Sequence, residues 1–282
     1  MAVPLNEADD DRELEQLELE LLVEAIHRRY GFDFRGYARA SLRRRLWRRA
    51  DLEGLRSLSG LQERILHDPP CMHRLLADLS VNVTAMFRDP SFHEALRERV
   101  FPALRTNPFT RVWVAGCSTG EEVVSLAIAL QEAGMLERTR IYATDMDTDV
   151  LARARAGAFA IDKLQDYTRN YLAAGGGEAF SRYYTVQGDE AVFDPALLRD
   201  VVFAQHNLAT DRSFNEFHLI LCRNVLIYFG RPLQDRVLTL FDESLARRGV
   251  LGLGRKETLN GTSVEARYEV LVDAEKIYRR RP

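Results

Sequence analysis

Apolar residues at three- and four-residue spacing open the chain: Leu14, Leu17, Leu21 and Leu22, then Ile26 and Tyr30. That period lines one face of an α-helix. Gly31 interrupts it, and a second helix is expected from about Tyr37 to Leu52. Two shorter helices are expected around Ser57–Leu66 and Cys71–Leu79, with Pro69 and Pro70 between them. From about residue 110 the pattern changes to short apolar runs alternating with helical stretches. Arg111-Val-Trp-Val-Ala-Gly116 reads as a strand ending in a turn, Glu121–Glu132 as a helix, and Arg140-Ile-Tyr-Ala-Thr-Asp145 as a second strand. A helix from about Thr148 follows, then strands at 201–204 and Phe217–Cys222. A helix over Pro232–Arg247, a strand at Gly249–Leu253 and a pair around Tyr268–Tyr278 complete the series. Alternation of this kind predicts a mostly parallel sheet with helices on both faces.

One stretch departs from that rhythm. Gln165–Leu172 reads as a helix, Ala173-Ala-Gly-Gly-Gly177 as a break, and Tyr183–Phe193 as a hairpin around Gly188-Asp189. The resulting division is an acidic tail over 1–15, a helical domain over 16–80, a linker with a connecting helix over 81–105, and an α/β domain over 106–282. A small antiparallel insertion is expected at about 178–206.

Charge and cysteine content narrow the function. The net charge of −3 gives no general attraction to nucleic acid, and in the arginine-rich second helix aromatic interleaving is limited to Trp47. Cys71, Cys117 and Cys222 lie far apart with no C-x-x-C pair, which fits neither a disulfide framework nor a metal site and suits a reducing compartment. The first twenty residues are acidic without an apolar centre, and apolar runs such as Val123–Leu130 fall short of the roughly twenty residues a membrane span needs. A cytoplasmic protein without direct membrane insertion is expected.

The first strand runs into Ala115-Gly116-Cys117-Ser118-Thr119-Gly120-Glu121-Glu122. Glycines such as Gly116 permit a sharp turn and close approach to a ligand. The loop is not G-x-G-x-x-G, and its helix begins with two acids, which repel a pyrophosphate and suit a cationic ligand. The bland reading is that the acids only complement the helix dipole. Asp145, closing the second strand, is placed to accept ribose hydroxyls, whereas Asp147 reads as a helix N-cap. Together they favour an adenosyl pocket over a nicotinamide one.

Four segments resemble the CheR family of chemoreceptor methyltransferases: Ser80-Val-Asn-Val-Thr-Ala-Met-Phe-Arg-Asp-Pro90, the 115–122 loop, Ala143-Thr-Asp-Met-Asp-Thr148, and Cys222-Arg-Asn-Val-Leu-Ile-Tyr-Phe229. The resemblance runs from about residue 20 to 279. It implies a Rossmann-like class I methyltransferase domain with a small N-terminal all-helical domain and a small antiparallel β insertion. The implied cofactor is S-adenosyl-L-methionine, leaving S-adenosyl-L-homocysteine, with no metal. Asn82, Thr84 and Arg88 would line the cofactor pocket, Glu122 would take the methionine amino group and Asp145 the ribose. Asn207 and Leu208 would frame the adenine, and Asn224 and Val225 would close the site beneath the methyl group. Arg88 and Tyr228 would face the incoming glutamate. On the residues alone, Arg88 reads equally as a surface ion pair and Tyr228 as a core aromatic.

Two departures stand out: Val123-Val124 follows the paired acids where the family has proline and tyrosine, and Gly254-Arg-Lys-Glu257 replaces a glycine-histidine-serine-glutamate pattern. Arg39, Arg43, Arg45, Arg48 and Arg49 sit on the second helix. A solvated face is one reading of them. The resemblance implies another, a docking surface for the glutamate-rich cytoplasmic helical bundle of a chemoreceptor. The hairpin at Tyr183–Asp189 has only Gly188, which argues against tethering to a receptor's C-terminal pentapeptide. A related methyltransferase acting on another carboxylate, and a cofactor-binding regulator without turnover, remain open at this level.

Overall fold

A computed structural model of the chain describes residues 7–80 and 84–282. It divides into two units: residues up to 81 together with Tyr228–Leu233, and Asn82–Ile227 together with Gln234–Pro282.

The first unit is helical: α1 (Glu7–Tyr30), α2 (Arg39–Leu52), α3 (Leu58–His67) and α4 (Pro69–Leu79). Gly31 ends α1 with a left-handed φ of 80°, donating to the His27 carbonyl at 2.9 Å. Ser57 caps α3 by accepting from the Gly60 amide at 3.0 Å, and α4 opens on its prolines, where missing amide donors cost nothing. Leu22, Ile26, Leu42, Leu46, Leu58, Leu61, Ile65 and Leu75 form the core. The spacing of α1 is therefore shared between two faces. Leu22 and Ile26 point inward, while Leu14, Leu17 and Leu21 are 50–58% exposed. The expected acidic tail is also corrected, because from Glu7 onward it is the first turns of α1. Acids of α1 pair with arginines of α2, Glu15 with Arg43 at 2.6 Å and Glu20 with Arg39 at 2.9 Å.

The second unit begins with α5 (Pro90–Ala95), a π-turn (Leu96–Val100) and α6 (Phe101–Leu104). The expected linker over 81–105 is thus largely a structural layer. Phe92, Leu96, Val100, Phe101 and Leu104 are buried in one core with Val112 and Val114 of the first strand. Then come β1 (Thr110–Ala115), α7 (Glu121–Glu132), β2 (Thr139–Asp145), α8 (Thr148–Ala156), β3 (Ala158–Ala160) and α9 (Leu164–Ala173). The chain continues through β4 (Tyr184–Gln187), β5 (Glu190–Phe193), β6 (Val201–Gln205), β7 (Phe217–Cys222), α10 (Arg231–Ser244), β8 (Leu245–Leu253), β9 (Tyr268–Val272) and β10 (Ile277–Arg280).

Seven of these strands form one sheet in the order β6-β2-β1-β7-β8-β10-β9. Its first five strands are parallel, and β10 runs antiparallel to both β8 and β9. From β1 the chain steps outward through β2 to β6, then returns to the other side of β1 at β7. This reversal opens a crevice at the carboxyl ends of β1 and β7, where open α/β sheets bind ligands. Strands β3, β5 and β4 form the separate antiparallel sheet. Its limits differ from the expected 178–206. The apolar run Ala158–Ala160 supplies its third strand, and Val201–Gln205 pairs in parallel with β2 in the main sheet.

Candidate cofactor and methyl-transfer site

The 115–122 loop crosses the crevice between β1 and α7. The Gly116 and Cys117 amides both donate to the Thr144 carbonyl, at 2.8 and 2.9 Å, tying the loop to the end of β2. Gly116 adopts φ 74°, and a Cβ there would stand 2.6 Å from Val225 Cγ2. Glycine at 116 is demanded both by backbone conformation and by the closeness of Val225.

The two acids that follow diverge. Glu121 is 1% exposed, accepts from Thr119 Oγ1 at 2.6 Å and from the Tyr167 hydroxyl at 3.2 Å, and is committed to packing α9 against α7. Burial first, and the Glu121 charge second, push the Tyr167 hydroxyl far above the usual phenol range. Glu122 is the less buried of the two, and accepts from Arg223 Nη1 at 2.8 Å.

Asp145 ends β2. Its Oδ2 accepts the Ser118 amide at 3.0 Å and its Oδ1 the Asp147 amide at 3.1 Å. Burial raises its pKa, while those backbone donors pull the other way. Asp147 caps α8 by accepting the Asp149 amide at 2.9 Å, as its position in the sequence suggests. Beside it, the His206 amide donates to the Asp145 carbonyl at 3.0 Å, so the turn after β6 lies next to the acid. In that turn Asn207 Oδ1 accepts the Ala209 amide at 3.0 Å, and Leu208 is buried.

Arg88 sits in an unusual turn. Phe87 and Asp89, on either side of it, have left-handed φ angles of 49° and 55°. For residues with a Cβ this conformation costs of order 1–3 kcal/mol each and persists only where the surroundings enforce it. Those surroundings are visible. Ser125 Oγ accepts the Phe87 amide at 2.9 Å, Asn170 Nδ2 donates to the Met86 carbonyl at 3.1 Å, and the Phe87 ring packs on His93, Tyr171 and Phe180. Arg223 completes the clamp. Its Nη2 donates to Asp89 Oδ2 at 2.6 Å and to the Arg88 carbonyl at 3.1 Å, and its guanidinium lies 4.0 Å above the Phe92 ring.

Arg223 is therefore the site residue that the sequence reading missed. With its side chain 3% exposed, it links Glu122 to the turn that carries Arg88. The available signal was its place in Cys222-Arg-Asn224, directly before a residue already assigned to the site. Asn224 itself has a left-handed φ of 61°, and Val225 closes over Gly116. Thr84 is half-buried ahead of the Arg88 turn, and Asn82 lies outside the described residues.

Tyr228 belongs to the first unit, where the Arg45 guanidinium lies 4.5 Å from its ring centroid. The expected docking surface of five arginines needs correction here. Arg45 and Arg49 share the helix face of Leu42 and Leu46 and are turned inward, 8% and 9% exposed. Arg45 Nη1 donates to the Leu79 carbonyl at 2.5 Å, and Arg49 pairs with Asp78 at 2.5 Å and Glu53 at 3.2 Å. Arg39, Arg43, Arg44 and Arg48 are exposed, the first two in ion pairs with α1.

The donor set fits S-adenosyl-L-methionine. A crevice at the strand switch point presents the carboxylates of Glu122 and Asp145, which suit an ammonium and ribose hydroxyls and would repel a phosphate. Among the described residues no group of three or more His, Cys, Asp or Glu is placed to hold a metal ion, and no helix is long and apolar enough to cross a membrane.

Comparison with known proteins agrees with this geometry. Residues 82–273 match the CheR methyltransferase SAM-binding domain, and residues 17–80 match the CheR all-alpha domain. A candidate methyltransferase of Pseudomonas putida, Cher3, is 48% identical over 264 residues, covering 94% of this chain and 97% of that protein. Chemotaxis protein methyltransferase 1 of Pseudomonas aeruginosa is 32% identical over 77% of this chain and 81% of its own length. The chemotaxis protein methyltransferase of Listeria monocytogenes is 28% identical over 83% of this chain and 87% of its own. With the helical unit, the methyltransferase sheet and the acidic crevice in place, the chain belongs to the CheR family of S-adenosyl-L-methionine-dependent methyltransferases.

Proposed function

We propose that the chain transfers a methyl group from S-adenosyl-L-methionine to glutamate side chains in the cytoplasmic helical bundle of chemoreceptors, giving glutamate 5-O-methyl esters and S-adenosyl-L-homocysteine. The observation that carries this reading is the pairing of an acidic crevice with Arg88 on a turn held by Arg223. When bound, the cofactor supplies a methyl group on a cationic sulfur. A glutamate oxygen forms the new bond to carbon, the carbon–sulfur bond breaks, and its electron pair stays on sulfur. No proton moves, because a glutamate with an ordinary pKa of about 4.3 is already ionised at neutral pH. The chain therefore needs no general base.

Its residues bind and align instead. Glu122 meets the methionine ammonium and Asp145 the ribose hydroxyls. Thr84 lines the cofactor, Asn207 and Leu208 frame the adenine, and Asn224 and Val225 lie under the methyl group. Arg88 holds the acceptor carboxylate by its guanidinium fork. Alignment of oxygen, carbon and sulfur then supplies the acceleration. The outward arginines, Arg39, Arg43 and Arg48, receive the glutamate-rich bundle. The hairpin between β4 and β5, with its single Gly188, does not tether a receptor pentapeptide. Incubation of receptor cytoplasmic fragments with the cofactor, followed by peptide mass spectrometry, tests this reading. Methyl groups on glutamates are expected; methylation confined to lysine or arginine would refute it.

A further inference from the structure

Glu257 closes a turn after β8 and is 4% exposed, yet among the described residues no lysine or arginine pairs with it. Its partners are backbone amides. Oε2 accepts from Gly254 at 2.6 Å and from Asn224 at 3.1 Å, and Oε1 accepts from Ile227 at 3.3 Å. The Leu226 amide also contributes. A buried carboxylate without a cation is costly unless several donors converge on it. Here the donors come from two loops that must meet, the turn after β8 and the segment after β7.

Closeness is enforced at the junction. A Cβ at Gly254 would stand 2.8 Å from both the Asn224 nitrogen and Glu257 Oε2. The segment that Glu257 grips is the one with Asn224 in the left-handed region and Val225 against Gly116. Burial raises the Glu257 pKa and the amides lower it, so the carboxylate form depends on this grip.

We propose that Glu257 is a positioning residue for the cofactor site, acting through the amides of 224–227 to hold Asn224 and Val225 in their binding conformation. The inference rests on Asn224 and Val225 lining the cofactor pocket. Arg255 and Lys256 make none of these contacts with the 224–227 segment.

Calorimetric binding of S-adenosyl-L-methionine to the full chain tests it. Wild-type protein that fails to bind would sink the cofactor assignment and this inference with it, whereas wild-type binding combined with unaltered binding in the variants would sink this inference alone. With wild-type binding in hand, Glu257→Gln puts an amide donor against backbone donors. It is expected to weaken binding roughly ten- to hundredfold, the size of one lost charge-assisted hydrogen bond, in a protein that still unfolds cooperatively. A purely structural role would lower thermal stability and leave the affinity of the folded protein unchanged, which would overturn the proposal. If Glu257→Gln does not fold, Gly254→Ala keeps the carboxylate and wedges the loops apart. The same weakening is expected, and unaltered affinity would overturn the proposal. Independently, the wild-type amides of Asn224, Leu226 and Ile227 should exchange hydrogen only as slowly as the β7 core; rapid exchange there contradicts the grip.

Discussion

Arg223→Met separates the clamp from its surroundings. The guanidinium is nearly water-free, donates to two carboxylates and one carbonyl, and covers the Phe92 ring. Methionine fills much of the volume, leaves Glu122, with its side chain 15% exposed, without its cation, and leaves Asp89, 25% exposed, with only the Arg255 guanidinium at 3.9 Å. Removing one member of a buried ion cluster costs about 3–5 kcal/mol. For a unit of this size the melting temperature should fall by roughly 6–20 °C. The turn around Arg88 should also relax, because Phe87 and Asp89 hold left-handed conformations only under constraint. Arg223→Lys keeps the charge and reaches one acid at a time, so it should lose about half as much. Differential scanning calorimetry measures the loss, and cofactor titration shows whether the site loosens with it. A shift below about 2 °C for Arg223→Met with unchanged cofactor affinity would refute the clamp.

Other perturbations separate packing from chemistry. Gly116→Ala places a methyl group 2.6 Å from Val225 at φ 74°, and should cost about 1–3 kcal/mol by denaturation; adding Val225→Ala should recover the steric part only. Combined Arg39→Glu, Arg43→Glu and Arg48→Glu should raise KM for the receptor with little change in kcat, whereas Arg49→Ala should cost about 3–5 kcal/mol of stability by opening its buried ion pairs. His93 is buried with neither ring nitrogen hydrogen-bonded, and burial, with Arg223 and Arg97 nearby, holds its pKa well below the ordinary value. Protonation therefore favours the unfolded chain. The stability held by neutral His93 is complete above pH ~6.5 and falls by about 1.4 kcal/mol per pH unit below it, until the folded pKa is reached. His93→Leu should remove that slope from urea midpoints measured across this range.

Period and punctuation made most of the architecture legible. The change from helical spacing to alternation near residue 110 marks the start of β1, and the carboxyl-end loops hold the acids singled out from the sequence. What stayed hidden depends on tertiary choice. The spacing of Leu14, Leu17 and Leu21 states that they share a face, but not whether another element covers it. Arg45 and Arg49 look like surface charge until Leu42 and Leu46 on the same face turn inward, the Leu79 carbonyl receives Arg45 and Asp78 receives Arg49. Glu121 and Glu122 are indistinguishable in sequence; a helix rotation of one residue sends the first to Tyr167 and the second to Arg223. The segment Phe92–Leu104 reads as a connector because its apolar residues reveal their partners only once β1 is beside them. Ala158–Ala160 is too short to register as a strand without β5.

Formation of a glutamate methyl ester is the central claim, and one assay reaches it most directly. Membranes carrying chemoreceptors, the protein and S-adenosyl-L-methionine labelled in the methyl group are incubated, washed and made alkaline, and volatile label is counted. The account predicts base-released labelled methanol from the wild-type reaction and its loss with Arg88→Ala. Label that stays on protein through alkali, or methanol release undiminished in Arg88→Ala, would contradict it.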